Sequence, residues 1–71
     1  MSSTSTYAVA GMTCAHCVAA VTDEIAKLPG VRAVDVALVA GGTSTVTVAS
    51  DRPIEPAAVA DAVDEAGYAI A

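Results

Sequence analysis

Apolar residues recur every three or four positions in two segments of the chain. On either side of each of these segments, apolar residues instead alternate with polar ones or with small ones such as Ala. This arrangement restricts the fold of the 71-residue chain more than any other feature. Alternation at every second position is typical of a strand with one buried face, and the wider spacing is typical of an amphipathic helix. The predicted order is therefore strand, helix, strand, strand, helix, strand.

The predicted strands share short alternating runs rich in β-branched residues: Thr6–Ala10, Val31–Val39, Ser44–Ala49 and Tyr68–Ile70. Their inward residues are predicted to be Tyr7, Val9, Val34, Val36, Leu38, Val46 and Val48. The glycines at 41 and 42 predict a hairpin turn, because such turns need positive φ values. Residues 1–5 are small and polar, and we expect them to be disordered.

The two predicted helices cover Ala15–Leu28 and a segment that begins at Pro56. Pro29 and Gly30 end the first helix, while Pro56 suits a first helical position and Gly67 suits the position just past a helix end. The apolar stripes consist of Cys17 or Val18 with Val21, Ile25 and Leu28 in the first helix, and Val59, Ala62, Val63 and Ala66 in the second.

This order predicts an α+β, ferredoxin-like βαββαβ sandwich. Right-handed crossovers then place both helices on one face of a four-stranded antiparallel sheet. Residues 1–71 are expected to form a single domain with a small core, because the apolar residues are mainly Ala and Val, with no Phe or Trp. Such a core leaves no room for a large cavity, so any functional site should lie at the surface.

The chain is acidic, with a net charge of −5 and only three cations. This surface repels phosphate backbones, which argues against binding to nucleic acid or anionic membranes. The first residues lack the basic and apolar regions of a signal peptide, and no apolar run is long enough for a membrane span. We therefore expect a cytoplasmic protein, in which a structural disulfide is not expected.

Segment 11–17 (GMTCAHC) holds both cysteines and the single histidine, at the change from strand to helix spacing. Cys14 is expected in the loop and Cys17 in or near the first helical turn. The positive end of the helix dipole lowers the pKa of a thiol there below its usual value of about 8.5. Two soft thiolates suit a low-coordinate ion such as Cu(I), although burial as small apolar residues and zinc binding remain alternatives.

Segment 11–17 resembles the metal-binding loop of the heavy-metal-associated domain family. Residues 28–31 (LPGV) and 67–70 (GYAI) are similar to that family's other two landmarks, at matching distances. The resemblance covers about Thr6 to Ile70 and implies the ferredoxin-like fold, with Cys14 and Cys17 as the metal ligands. The chain departs from the family in lacking the usual core Phe and in having almost no tail after Ile70, which bears on stability.

Within this family, a stand-alone chain of this size resembles the bacterial copper chaperones. The resemblance implies that Cys14 and Cys17 hold one Cu(I) and pass it to a matching CxxC of a copper-exporting P-type ATPase. No enzyme activity is expected, since metal transfer by thiolate exchange alters no covalent bond of a substrate. A copper-bridged homodimer is left open.

Four further residues have two readings each. His16 is either a solvated side chain or a group that tunes the thiols, and it is not expected to be a primary ligand. The thioether of Met12 can bind Cu(I), but the resemblance implies that it packs beneath the loop. Thr13 is expected in the loop or as the helix N-cap. The resemblance implies that Tyr68 approaches the metal loop, as a core-edge aromatic that also shields the copper.

Three other functions fit parts of the pattern. The chain could be a metal-binding domain cut from the N-terminus of a copper-exporting ATPase. A relative that binds another metal is less consistent, because mercury-binding relatives need a signal peptide and zinc-preferring ones bring acidic residues to the loop. A CxxC thiol–disulfide oxidoreductase would need a larger fold, and the prolines here lie at helix boundaries.

Overall fold

The computed structural model describes residues 3–71. Its elements in chain order are β1 (Ser3–Ala10), α1 (Ala15–Ala26), β2 (Val31–Ala37), β3 (Thr43–Ser50), α2 (Pro56–Glu65) and β4 (Ala69–Ile70). The type and order of every predicted element are thereby confirmed. Within this part of the chain, no helix combines the length and apolar character that crossing a membrane requires.

The strands form one four-stranded antiparallel sheet in the order β2-β3-β1-β4. Strand β1 pairs with β3 along its whole length, from Ser3 opposite Ser50 to Ala10 opposite Thr43. Strand β4 adds only two pairs at the end of β1. The predicted ferredoxin-like fold is confirmed. The C-terminal end of β1, an inner strand of the sheet, leads directly into segment 11–14.

The core lies between the inner face of the sheet and both helices. Its buried members come from alternating strand positions and from one stripe of each helix: Val9, Met12, Val21, Ile25, Val46, Val48, Val59, Ala62 and Val63. Fully burying a side chain of the Val or Ile type contributes about 1.5–3 kcal/mol. The alternation in the sequence therefore identifies the buried face correctly, and small side chains fill it.

Strand β1 begins three residues earlier than predicted. Ser3 to Ser5 pair with the end of β3 instead of being disordered, because β3 continues to Ser50 and offers them backbone partners. The buried Ser50 hydroxyl donates to the Arg52 carbonyl at 2.7 Å, and its oxygen lies 3.4 Å from the Ser3 carbonyl. The expectation of disorder is thus wrong for 3–5, and Met1 and Ser2 lie outside the described residues.

Strand β2 ends at Ala37, two residues earlier than predicted, so Leu38 is exposed instead of inward. The reason is Ser44, which is buried and bonds to the main chain of Val39. The Val39 N–H donates to Ser44 Oγ at 2.9 Å, and the hydroxyl donates back to the Val39 carbonyl at 3.4 Å. In the turn that follows, Gly41 has a positive φ of 74°, whereas Gly42 does not have one.

Helix α2 ends in a motif that directs the chain toward segment 11–14. The Gly67 N–H donates to the Asp64 carbonyl at 2.9 Å and the Tyr68 N–H to the Val63 carbonyl at 3.0 Å. Gly67 has a φ of +92°, which confirms its predicted place just past the helix end. Helix α1 ends at Ala26, two residues before the predicted end.

The bonds of Ser44 predict a measurable loss when its hydroxyl is removed. Ser44→Ala leaves the Val39 N–H without its partner, so we expect the free energy of unfolding in urea to fall by about 1–2 kcal/mol. Thr43→Ala, at the exposed neighbouring position, is the matched control and should cost less than about 0.5 kcal/mol. Equal losses in the two variants would contradict this account of the strand end.

Candidate metal centre

Segment 11–14 is attached to the fold at Met12. The Met12 side chain is fully buried in the core, and its carbonyl accepts a hydrogen bond from the Gly41 N–H at 3.1 Å. Gly11 precedes it with a φ of +92°, a value that glycine adopts without strain. The expectation that Met12 packs beneath the loop is confirmed, and its sulfur belongs to the core.

The two cysteines stand at the start of helix α1. Cys14 is the N-cap residue, with extended φ and ψ of −155° and 177°. Its carbonyl accepts hydrogen bonds from the Cys17 and Val18 N–H groups at 3.1 and 3.2 Å. The predicted places of both cysteines are confirmed, whereas the N-cap role suggested for Thr13 is wrong.

The two thiols are free and close together. Cys14 Sγ and Cys17 Sγ are 3.7 Å apart, and Cys14 is exposed while Cys17 is half-buried. The reading of both as buried apolar residues is therefore excluded for Cys14. When two sulfurs bind the same ion, the distance between them is at most the sum of two metal–sulfur bond lengths. That limit is about 4.6 Å if each bond is about 2.3 Å long, as in zinc thiolates. The thiol pair fits a metal ion.

Hydrogen bonds converge on the Cys17 sulfur and favour its thiolate. They lower the pKa of Cys17 to about 6, and the largest cause is the hydrogen bond from the Tyr68 hydroxyl. The Thr13 and Cys14 backbone and the Thr13 hydroxyl lower it further, against a small opposing effect of burial. Thr13 Oγ1 lies 3.6 Å from Cys17 Sγ. The predicted direction is confirmed for Cys17, and these hydrogen bonds are its largest causes.

Tyr68 reaches the site over the glycine that begins the loop. A Cβ at Gly11 would lie 3.6 Å from Tyr68 Cδ1, an ordinary van der Waals distance, so the ring lies beside Gly11 with room for about one carbon atom between them. Its hydrogen bond to Cys17 is also the largest of the effects that raise the pKa of the Tyr68 hydroxyl. The expected approach of Tyr68 to the loop is confirmed, and shielding of a metal stays a prediction.

The two remaining candidate residues, His16 and Thr13, differ in their contacts with the cysteine pair. His16 is exposed on the first turn of α1. Between residues 3 and 71 no group of three or more His, Cys, Asp and Glu side chains is placed to share a metal ion. The contact of Thr13 with Cys17 was missed, although a hydroxyl four residues before a cysteine at a helix start was a usable signal.

The chain matches the heavy-metal-associated domain family over residues 6–69, and it belongs to that family. The match includes the cysteine pair, the turn at residues 28–31 and the first three residues of the last landmark, 67–69. The family and the ferredoxin-like architecture are therefore established together.

Individual relatives resemble the chain over nearly its full length. It is 41% identical over 66 residues, 93% of each chain, to the copper chaperone CopZ of Bacillus subtilis (strain 168). A solved structure of a CopZ metallochaperone has a TM-score of 0.84 at 31% identity, covering 97% of this chain and 100% of that one. The N-terminal domain of the copper(I) ATPase PacS in its apo form has a TM-score of 0.71 at 31% identity, covering 99% and 92%.

The hydrogen bond from Tyr68 predicts a pH-dependent change in the apo-protein. Tyr68→Phe removes the largest cause of the lowered Cys17 pKa, so the thiolate should form at a higher pH than in the parent protein, where the pKa is about 6. The measurement is the ultraviolet absorbance of the thiolate against pH, in a Cys14→Ser background so that Cys17 titrates alone.

Tyr7→Phe is the matched control, since Tyr7 lies on β1 and makes no contribution to the Cys17 pKa. It should leave the midpoint unchanged. A midpoint that is the same in the Tyr68→Phe and Tyr7→Phe variants would show that the phenol hydroxyl does not stabilise the thiolate.

Proposed function

We propose that this protein is a cytosolic copper chaperone that binds Cu(I) through Cys14 and Cys17. The observation that carries the proposal is the pair of free thiols, 3.7 Å apart at an exposed helix start. The similarity to the copper chaperone CopZ of Bacillus subtilis supports copper as the metal.

The donor set favours Cu(I) over harder ions. Soft thiolate ligands select Cu(I), whereas a structural zinc site usually has four protein ligands. In the described part of the chain, no third His, Cys, Asp or Glu side chain joins the pair to complete such a site. With a pKa of about 6, Cys17 is mostly a thiolate at neutral pH and is ready to bind a cation.

Transfer follows from the unequal exposure of the two sulfurs. An incoming thiolate of a partner forms a new bond to the copper, and the bond from Cys14, the exposed ligand, then breaks. A second partner thiolate replaces Cys17 in the same way, and each released sulfur leaves as a thiolate. Copper stays Cu(I) throughout, and no substrate bond is made or cleaved, so the protein acts as a carrier and not as an enzyme.

The recipient we propose is the metal-binding domain of a copper-exporting P-type ATPase. The resemblance of this chain to the N-terminal domain of the copper(I) ATPase PacS supports a transfer in which the donor and the recipient share the same fold. That resemblance also favours a second candidate, in which this chain is itself such an ATPase domain. In either case a second copy can supply the extra thiolates, which gives a copper-bridged homodimer.

Titration of Cu(I) into the reduced apo-protein against a competing chelator tests the proposed ligands. We expect one Cu(I) per chain, and a fall in affinity of at least about a hundred-fold in Cys14→Ser or Cys17→Ser, because one of two metal bonds is lost. Met12→Leu and His16→Ala should each bind within about three-fold of the parent, since Met12 is a core residue and His16 is exposed.

Two results would contradict the proposal. The first is tight zinc binding beside weak Cu(I) binding. The second is retention of Cu(I) in both serine variants together with loss in His16→Ala, which would move the metal to a different set of ligands.

A further inference from the structure

The turn between β2 and β3 exposes two large apolar side chains. Leu38 is 38% exposed and Val39 is 52% exposed. They belong to residues 38–42, which we name the β2–β3 tip. The tip is joined to the cysteine loop, because the Gly41 N–H donates to the Met12 carbonyl at 3.1 Å. These apolar side chains therefore stand on the segment that braces the proposed metal ligands.

The tip is held rigidly with Val39 outside the core. The Val39 N–H and carbonyl both bond to the buried Ser44, and the carbonyl also accepts from the Gly42 N–H at 3.0 Å. A Cβ built at Gly42 would approach Val39 Cγ1 to 2.9 Å, so the valine side chain lies across the glycine. A surface whose backbone is already fixed loses little further conformational entropy when a partner covers it.

The loops at this end of the fold carry no charge. The chain has eight acidic and three basic residues, yet none falls in segments 11–14, 38–42 or 67–68. The charged positions next along the chain are Asp35 and Glu65. The centres of protein interfaces are depleted in charged residues, because burying an unpaired charge is costly. A partner can therefore cover these loops without burying an unpaired charge.

We propose that the β2–β3 tip is the apolar contact on which the metal-accepting domain docks, an inference that rests on the proposed function. The partner is a domain with its own thiolate pair and an uncharged apolar surface beside it. Because the tip is bonded to the cysteine loop, a domain seated on Leu38 and Val39 brings its thiolates next to Cys14. Docking of this kind depends little on ionic strength, since no ion pair forms at the contact.

The test measures Cu(I) transfer from this protein to an acceptor, the N-terminal domain of the copper(I) ATPase PacS, by rapid mixing. Val39→Glu places a carboxylate on the tip and should lower the second-order transfer rate about ten-fold. Ala57→Glu is the matched control: it makes the same change in net charge at an exposed site, in the first turn of α2 far from Tyr68. It should change the rate less than two-fold.

Three further measurements separate the effect of apolar contact on the transfer rate from the effects of charge and of folding. Leu38→Ser combined with Val39→Ser removes the apolar surface without adding charge and should also slow transfer. The parent rate should vary less than about two-fold between roughly 0.05 and 0.5 M salt. Chelator titration of every variant should give unchanged Cu(I) affinity, which shows that the site itself is intact.

The outcomes distinguish this inference from the proposed function. Equal transfer rates for Val39→Glu and Ala57→Glu, with Cu(I) affinity intact, would overturn the docking contact alone. A Val39→Glu variant that transfers normally but no longer forms a copper-dependent dimer in sedimentation velocity would assign the tip to a second copy and overturn it too. Parent protein that delivers Cu(I) no faster than its spontaneous release would overturn the proposed function.

Discussion

The burial of Met12 is the constraint on which the rest of the site depends. Its side chain fills the core directly under the cysteine loop, and its carbonyl bonds to the β2–β3 tip. Because the chain is anchored at that residue, Thr13 and Cys14 emerge at the surface in the two positions before the helix begins. A small core, made mainly of Val, thus supports the exposed Cys14 and the half-buried Cys17 at a defined place.

The same anchoring separates the roles of the two sulfurs. Cys17, in the first helical turn, receives the hydrogen bonds of Tyr68 and Thr13, which stabilise its thiolate. Cys14, at the N-cap, is exposed to an approaching partner. A carrier needs both properties, since one ligand must hold the metal while the other exchanges. Under the proposed function, the Gly67 turn contributes by bringing Tyr68 to the sulfur that stays bound longer.

The sequence was sufficient for the fold because apolar spacing and turn residues agree along the chain. It also located both cysteines correctly, since a strand-to-helix change at Gly11–Cys17 leaves little freedom. It failed at the end of β2, where the buried Ser44 hydroxyl bonds to the main chain of Val39 and Leu38 is exposed. That bond spans the hairpin turn and leaves no trace in the apolar alternation of β2. The approach of Tyr68 to the cysteine loop followed from the family resemblance, because no local pattern joins the last turn to the start of α1.

The central claim is that two thiolates, and no other side chain, hold the metal. X-ray absorption at the copper edge of the Cu(I)-loaded monomer, in thiol-free buffer, tests it most directly. The account predicts two sulfur ligands and no nitrogen ligand. A spectrum that requires an imidazole nitrogen, or three sulfurs in a monomer, would show that His16 or Met12 takes part and would contradict the account.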